Sequence, residues 1–301
     1  MKKKYKSLFK VIPVILWPLV LFGFGFYLCC HPKGFCFEKI RSNFIFNQNL
    51  TTAALSNEEF EKIRPILNQN FTYLASGAYF YSFVSEDQKY VIKFLKMKRL
   101  TPKRWLNYIP LPFMEKYRFE KIEKRNRFRE ELFENFQNAF DEFRIHTGLV
   151  FLHFHKTFYS KDEVIITDEK GRKHRIPLNT VPFIVQKKAT HVYPYVASLI
   201  ENGEKDRALD ALISVLYLIK KRSLKGYVDK DGDISSNYGF IDHRPVEIDI
   251  RHVVKDETVK DPVNYLREVL KISQKMDLWL KATYPELSPL FLQRAQHHFY
   301  D

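Results

Sequence analysis

The sequence predicts an α+β protein of two lobes, an antiparallel sheet followed by a short helical lobe, with a membrane-spanning segment ahead of both. Three observations carry this expectation. Apolar residues recur at every second position between 71 and 95, with polar breaks at Gly77 and over residues 85–89, which is the period of half-buried strands. At Leu209, Leu212, Ile213, Leu216 and Ile219 they recur at helical spacing instead, which marks one apolar face of a helix. Finally, twenty uncharged and mostly apolar residues run from 11 to 30, the length a helix needs to cross a bilayer.

Composition sets the bounds. A chain of 301 residues with 45% hydrophobic and 28% charged residues suits one large domain or two small lobes with a real core. Its three cysteines, Cys29, Cys30 and Cys36, all sit near the N-terminus, so the folded part has neither a disulfide framework nor a cysteine metal site. The net charge of +14 is uneven, with fourteen Lys and Arg against four Glu between positions 89 and 130. A basic face of this kind is usually solvated, and otherwise meets anionic lipid, phosphorylated substrate or nucleic acid. No zinc-finger or RNA-binding motif accompanies it, so nucleic acid is not an expected partner.

Residues 1–35 form a basic N-terminus and anchor. Five lysines precede the apolar run, and Pro13 and Pro18 bend a transmembrane helix without forbidding it. An export signal has the same start, although no small-residue cleavage site follows Phe26. Lys33, Lys39 and Arg41 after the run leave only a slight bias toward an external soluble part. Cys29 and Cys30 at the membrane edge are positions where acyl chains attach when a chain is lipidated.

Residues 36–70 read as a juxtamembrane linker and a short helix, which Ser56 and Glu59 start as a capping box and Pro65 bends or re-starts. Residues 71–189 form the first lobe. After its three strands comes a basic insertion over 96–112 with three prolines. A long helix follows over 113–146, whose stripe of Phe128, Leu132, Phe136, Phe140 and Phe143 is core packing. Gly148 closes that helix, as a residue at ease in the left-handed region does. Strands are expected over 149–158, 163–167 and 172–178, the last two joined by the tight turn at 168–171, and then over 182–189.

Residues 190–301 form a short helical lobe with helices over 193–201 and 205–222, closed by Gly226, and two more over 262–284 and 287–298. Between them Asp229, Asp231, Asp233 and Asn237 crowd one loop, an apolar hairpin follows, and then Asp249. The alternating acids suggest a calcium loop, but Ile234 stands where an EF-hand needs glycine and Phe240 where it needs glutamate. An acidic turn ahead of a hairpin in an unrelated fold is the plain alternative.

An Asp, an Asn several residues on, an apolar hairpin and a further Asp, preceded by a sheet with a strand lysine, resembles the protein-kinase-like superfamily. The resemblance runs from about 71 to 249 and implies a two-lobed fold that uses ATP and Mg2+. It implies that Gly77 lies in the turn covering the phosphates and that Lys93, in Val-Ile-Lys, pairs with them. The partner of Lys93 on the long helix is then Glu142 or Glu134, with Glu142 favoured. Asp231 or Asp233 accepts the hydroxyl proton, Asp229 steadies the loop, and Asn237 and Asp249 hold Mg2+. The exit of the strand over 182–189 becomes the hinge whose backbone holds adenine.

The departures bear on activity more than on fold. One glycine stands where the superfamily often has three. Asn237 follows Asp231 by six and Asp233 by four positions where five is usual, no His-Arg precedes the Asp, and Asp249-Ile-Arg251 replaces Asp-Phe-Gly. Only about fifty residues follow Asp249, too few for a long activation segment, so small-molecule, sugar or lipopolysaccharide kinases are nearer than peptide kinases. With the anchor, this makes a membrane-anchored kinase acting on an anionic lipid or glycan hydroxyl the leading expectation. The alternative is a pseudokinase that offers its lobes to a protein partner, and a basic membrane-surface or nucleic-acid binder is a third.

Overall fold

A seven-stranded sheet forms the first lobe of the computed structural model, which describes residues 34–42, 57–102, 115–154 and 163–299. The strands are β1 (Asn70–Ser76), β2 (Phe80–Ser85), β3 (Tyr90–Leu95), β4 (Leu149–His153), β5 (Glu163–Thr167), β6 (Lys173–Pro177) and β7 (Phe183–Lys187), in the spatial order β4-β7-β3-β2-β1-β5-β6. All neighbours are antiparallel except β1 and β5, which run parallel. The apolar run at 11–30, with Cys29 and Cys30, and the capping Ser56 lie outside the described residues. Among the described residues no helix is long and apolar enough to cross a membrane.

Alternation along the strands divides the lobe into two apolar layers, as period-two patterning requires. Tyr81, Phe83, Ile92, Phe94, Phe183 and Val185 point to one face, and Phe80, Leu95, Leu152 and Ile184 to the other. The first face is covered by residues 34–42, which include α1 (Phe37–Ile40), and by α2 (Asn57–Leu67). This corrects part of the linker expected over 36–70. Phe35 is buried edge-on against Tyr81 and Phe83, each at 5.3 Å, its N–H donates to Glu169 at 2.9 Å, and Ile40 is fully buried. Short and aperiodic segments give no helical or strand signal even when single large side chains anchor them. The helix expected to bend or re-start at Pro65 runs through it as one element to Leu67.

The second face packs on α4 (Glu115–Thr147), which follows the short α3 (Met97–Leu100). At 33 residues α4 is roughly 50 Å long. Its buried apolar residues, Leu132, Phe133, Phe136, Ala139 and Phe143, all lie in the C-terminal half, while the basic N-terminal half buries Arg129 and rests Phe128 against the core. Gly148 ends α4 at φ +65, and a Cβ there would meet Ile241 Cδ1 at 2.6 Å. Glycine is thus needed both for the left-handed turn and for the approach of the second lobe.

Beyond β7 the chain crosses through β8 (Thr190–His191) into α5 (Val192–Glu201) and α6 (Lys205–Leu224). It then forms β9 (Tyr227–Asp229), the one-turn helix α7 (Ile234–Asn237), the hairpin of β10 (Tyr238–Ile241) and β11 (Arg244–Glu247), and β12 (Val253–Lys255), which pairs with β9. α8 (Pro262–Thr283) and α9 (Ser288–Phe299) close the lobe over a core built on Leu212, Leu216, Ile219, Met276 and Phe291. Asp261 caps α8 by accepting from Val263 N at 2.8 Å, with Pro262 as its first residue, the favoured chemistry for a helix start. The strands β8 and β12 carried no sequence signal, because two- and three-residue strands have no period, and the parallel pairing of β1 with β5 is a long-range contact that local patterning does not specify.

Candidate active site

Lys93 is the residue around which the two lobes meet. It lies mid-strand on β3, opposite Ser82 on β2 and Ile184 on β7. Its ammonium crosses the cleft and donates to the carbonyl of Ile248 at 3.1 Å, an oxygen that Gln186 also reaches at 3.3 Å. Burial depresses the Lys93 pKa, and the nearby Asp249 carboxylate opposes that shift, as an opposite charge does.

The expected partnership with Glu142 is not formed. Glu142 accepts from Tyr227 Oη at 2.9 Å, and Glu134 also faces Tyr227, whose hydroxyl is pushed up to about 12 by burial first and by these acids after it. The reason is the phenylalanine stripe, which turns the apolar side of α4 to the sheet and leaves its carboxylates on other faces.

The acidic loop is ordered from within. Asp229 is buried and accepts from Asp231 N at 2.9 Å, from Gly232 N at 3.0 Å and from Tyr238 Oη at 3.3 Å. These bonds make it the residue that shapes the loop. Asp233 is spent on capping α7, accepting from Ser235 N and Oγ and from Ser236 Oγ, and the Ser236 bond first of all holds its carboxyl below the usual range. Asp231 remains exposed, and its carboxylate accepts from Asn237 Nδ2 at 3.4 Å. Of the two acids named as base, geometry leaves Asp231 open to a substrate and Asp233 occupied.

Asn237 ties this loop to Asp249. Its side chain is buried, while its carbonyl accepts from Ile248 N at 2.6 Å and Asp249 N at 3.4 Å. Asp249 is one-third exposed, and Arg251 lies on it, N–H to Oδ1 at 3.1 Å and Nη2 to Oδ2 at 3.5 Å. Among the described residues no cluster of three or more His, Cys, Asp and Glu has metal-binding spacing. One carboxylate and one amide oxygen do fit Mg2+, which keeps waters and leans on substrate phosphates rather than on a full protein cage.

The turn between β1 and β2 overhangs the cleft. Gly77 N donates to Phe80 O at 3.1 Å, and nothing lies within 4 Å of a Cβ added at Gly77, so packing does not demand glycine there. Lys96 clamps the turn from the far face, donating to Gly77 O at 2.5 Å and Ser76 Oγ at 2.7 Å while lying 4.2 Å from the centre of the Tyr81 ring. Burial and then Arg99 and Lys39 lower its pKa to about 8.

Beneath the hairpin lies a buried ionic group that sequence reasoning missed. Arg222 donates to Glu247 and to Tyr238 Oη, both at 2.7 Å, and also to Glu268, which accepts from Ser223 Oγ at 3.1 Å. Burial raises the Glu247 pKa to about 7 against the pull of Arg222. The available signal was positional, since Arg222 continues the stripe of Leu212, Leu216 and Ile219, and a charge on an apolar face implies a buried partner.

Five strands in the order β1-β2-β3-β7-β4, a long helix before the fourth of them, an exit strand pairing with the hairpin, and an Asp-Asn-hairpin-Asp run beneath a strand lysine complete the pattern. This is the arrangement that the resemblance to the protein-kinase-like superfamily implies. The β5–β6 hairpin extends the sheet beyond β1, and residues 34–42 cover one of its faces. No protein-family profile matches the chain, nor does any curated protein. Among solved structures, ADP-bound aminoglycoside phosphotransferase APH(2'')-Ib aligns over 80% of this chain and 86% of its own, at 13% identity and a TM-score of 0.27. The streptomycin–ATP complex of APH(2'')-IIa aligns over the same shares at 15% and 0.29. Backbones so loosely matched carry no argument about this chain.

Proposed function

We propose that this chain is a kinase-like phosphotransferase that moves the terminal phosphoryl group of ATP to a hydroxyl on a small molecule, glycan or lipid. The observation that carries this is the convergence of Lys93, Asp249, Asn237 and Asp231 on one cleft, joined through the Ile248 carbonyl and the Asn237 main chain. Lys93 supplies fixed positive charge to the phosphates, and Asn237 and Asp249 are the oxygens that would hold Mg2+, whose charge neutralises the phosphates when bound. Asp231 accepts the proton of the acceptor hydroxyl as its oxygen bonds phosphorus and the bond to the ADP oxygen breaks. Positioning supplies most of the rate.

The apolar run at 11–30 supports a membrane-held enzyme, and the basic N-terminal half of α4 supports an anionic acceptor. A scaffold role is favoured by one observation, the absence of Glu142 from Lys93.

The deciding experiment is Mg2+-dependent ATP binding by the full chain in detergent, read as a thermal shift beside Lys93→Ala and Asp249→Asn. At a hundred times its dissociation constant ATP stabilises a protein by about 2.7 kcal/mol. A shift lost in both variants bears the proposal out. A folded protein with no shift sinks the enzyme and leaves the scaffold.

A further inference from the structure

Arg251 occupies the position where the superfamily pattern has glycine, and its surroundings are those of a phosphate ligand held in waiting. Its guanidinium lies 5.3 Å from the centre of the Tyr79 ring, and Tyr79 belongs to the turn between β1 and β2 and packs in turn, tilted by 44°, on Phe128 of α4 at 5.1 Å. On its other side is the Asp249 carboxylate, 3.5 Å from Nη2, too long for a good charge-assisted hydrogen bond. The main chain of Arg251 is fixed, its N–H donating to Asp249 and its carbonyl accepting from Asn135 Nδ2 at 3.4 Å. The side chain is only 16% exposed, and its Nε is buried with no hydrogen-bond partner.

A guanidinium is always charged and carries five donors in a rigid fork that matches phosphate oxygens. Here the fork lies between a metal-binding carboxylate and the turn over the cleft, with one donor unpaired and another stretched. That turn has a single glycine, and Lys93 lacks a glutamate, so the cleft is short of the groups that usually grip phosphate. We infer that Arg251 is a phosphate-binding residue of the nucleotide site, leaning on Asp249 when the cleft is empty and turning its fork onto the ATP phosphates when Asp249 takes Mg2+. The inference rests on the phosphotransfer reading above.

Calorimetric titration of the full chain with Mg-ATP, Mg-ADP and adenosine, for the wild type, Arg251→Gln and Arg251→Lys, tests it. Loss of one charge-assisted contact gives about a 10- to 100-fold weakening. Arg251→Gln is expected to lose that much affinity for ATP while binding adenosine as the wild type does, which also certifies its fold. Arg251→Lys keeps the charge without the fork and is expected to fall between the two. Wild-type ATP binding matched or exceeded by Arg251→Gln overturns this inference alone, because the arginine then only covers Asp249. Absence of ATP binding in the wild type overturns the phosphotransfer reading and this inference with it.

Discussion

Lys93 and Ile248, 155 positions apart, are joined by a 3.1 Å hydrogen bond from the lysine ammonium to the isoleucine carbonyl. That bond holds a buried cation in the cleft with Asp249 as its charge partner. Replacing Lys93 by Met is expected to stabilise the fold by about 1 kcal/mol near pH 7, because a buried charge gives way to an apolar side chain of similar size. Phosphoryl transfer should fall about 10²- to 10³-fold. The depressed lysine pKa means that the folded state binds fewer protons than the unfolded state between the two values. The penalty is therefore full at low pH and vanishes above about pH 10.4. Urea unfolding of both proteins from pH 6 to 10.5 should show the advantage of Lys93→Met shrinking as pH rises.

Asp231 and Asp233 separate by their bonding. Asp231→Asn is expected to lower turnover about 10²- to 10⁴-fold, the usual worth of a general base, with ATP affinity and melting temperature little changed. Asp233→Ala should cost about 1 kcal/mol of stability through its lost cap and leave most of the turnover. Steady-state rates and melting curves of the pair check this, and the reverse pattern would move the base to Asp233.

Much of this architecture was legible in the sequence because it rests on periodicity and on side-chain chemistry at fixed offsets. The alternation around Ile92 and Phe94, the amphipathic stripe through Leu216 and the left-handed turn at Gly148 are local properties, and the structure follows them. The order of Lys93, Asp231, Asn237 and Asp249 was legible for the same reason. That Lys93 meets Asp249 rather than Glu134 or Glu142 was not, since it depends on the rotation of α4 about its axis, which the sheet sets. Nor was the choice between Asp231 and Asp233, which hangs on Ser235 and Ser236 capturing one of them. Phe35 against Tyr81 and β1 beside β5 are long-range pairings, which the local period of a segment does not specify.

The Arg222–Glu247 pair should be the costliest polar contact to break. Glu247→Ala leaves a buried guanidinium with Glu268 as its remaining acid, and a loss of about 3–5 kcal/mol is expected. Glu247→Gln keeps the shape and should cost less. Burial raises the Glu247 pKa to about 7, so between its unfolded value near 4.5 and about 7 the folded state binds the extra proton. Stability from this group is thus full below about pH 4.5 and declines as pH rises through 7. Chemical denaturation across pH 4.5–7.5 should show that decline in the wild type and a flatter profile in Glu247→Gln.

Lys96 tests whether the turn over the cleft is clamped from behind. With its pKa lowered to about 8, its folded state sheds the proton before the unfolded state does. Stability from this residue should accordingly be lowest below about pH 8, rise through the window to about 10.4, and then level off. The rise should amount to about 1–2 kcal/mol, less than the full shift implies because the turn borders solvent. Tyr81, pushed up to about 12 by burial, has the opposite slope above about pH 10, so the informative quantity is the difference between the wild type and Lys96→Met. A neutral amine still donates to Gly77 O and Ser76 Oγ, whereas methionine donates to neither, so the variant should also show faster amide exchange at Gly77 and Ala78. A difference flat from pH 7.5 to 10.5, with unchanged exchange in the turn, would show that Lys96 packs there without holding it.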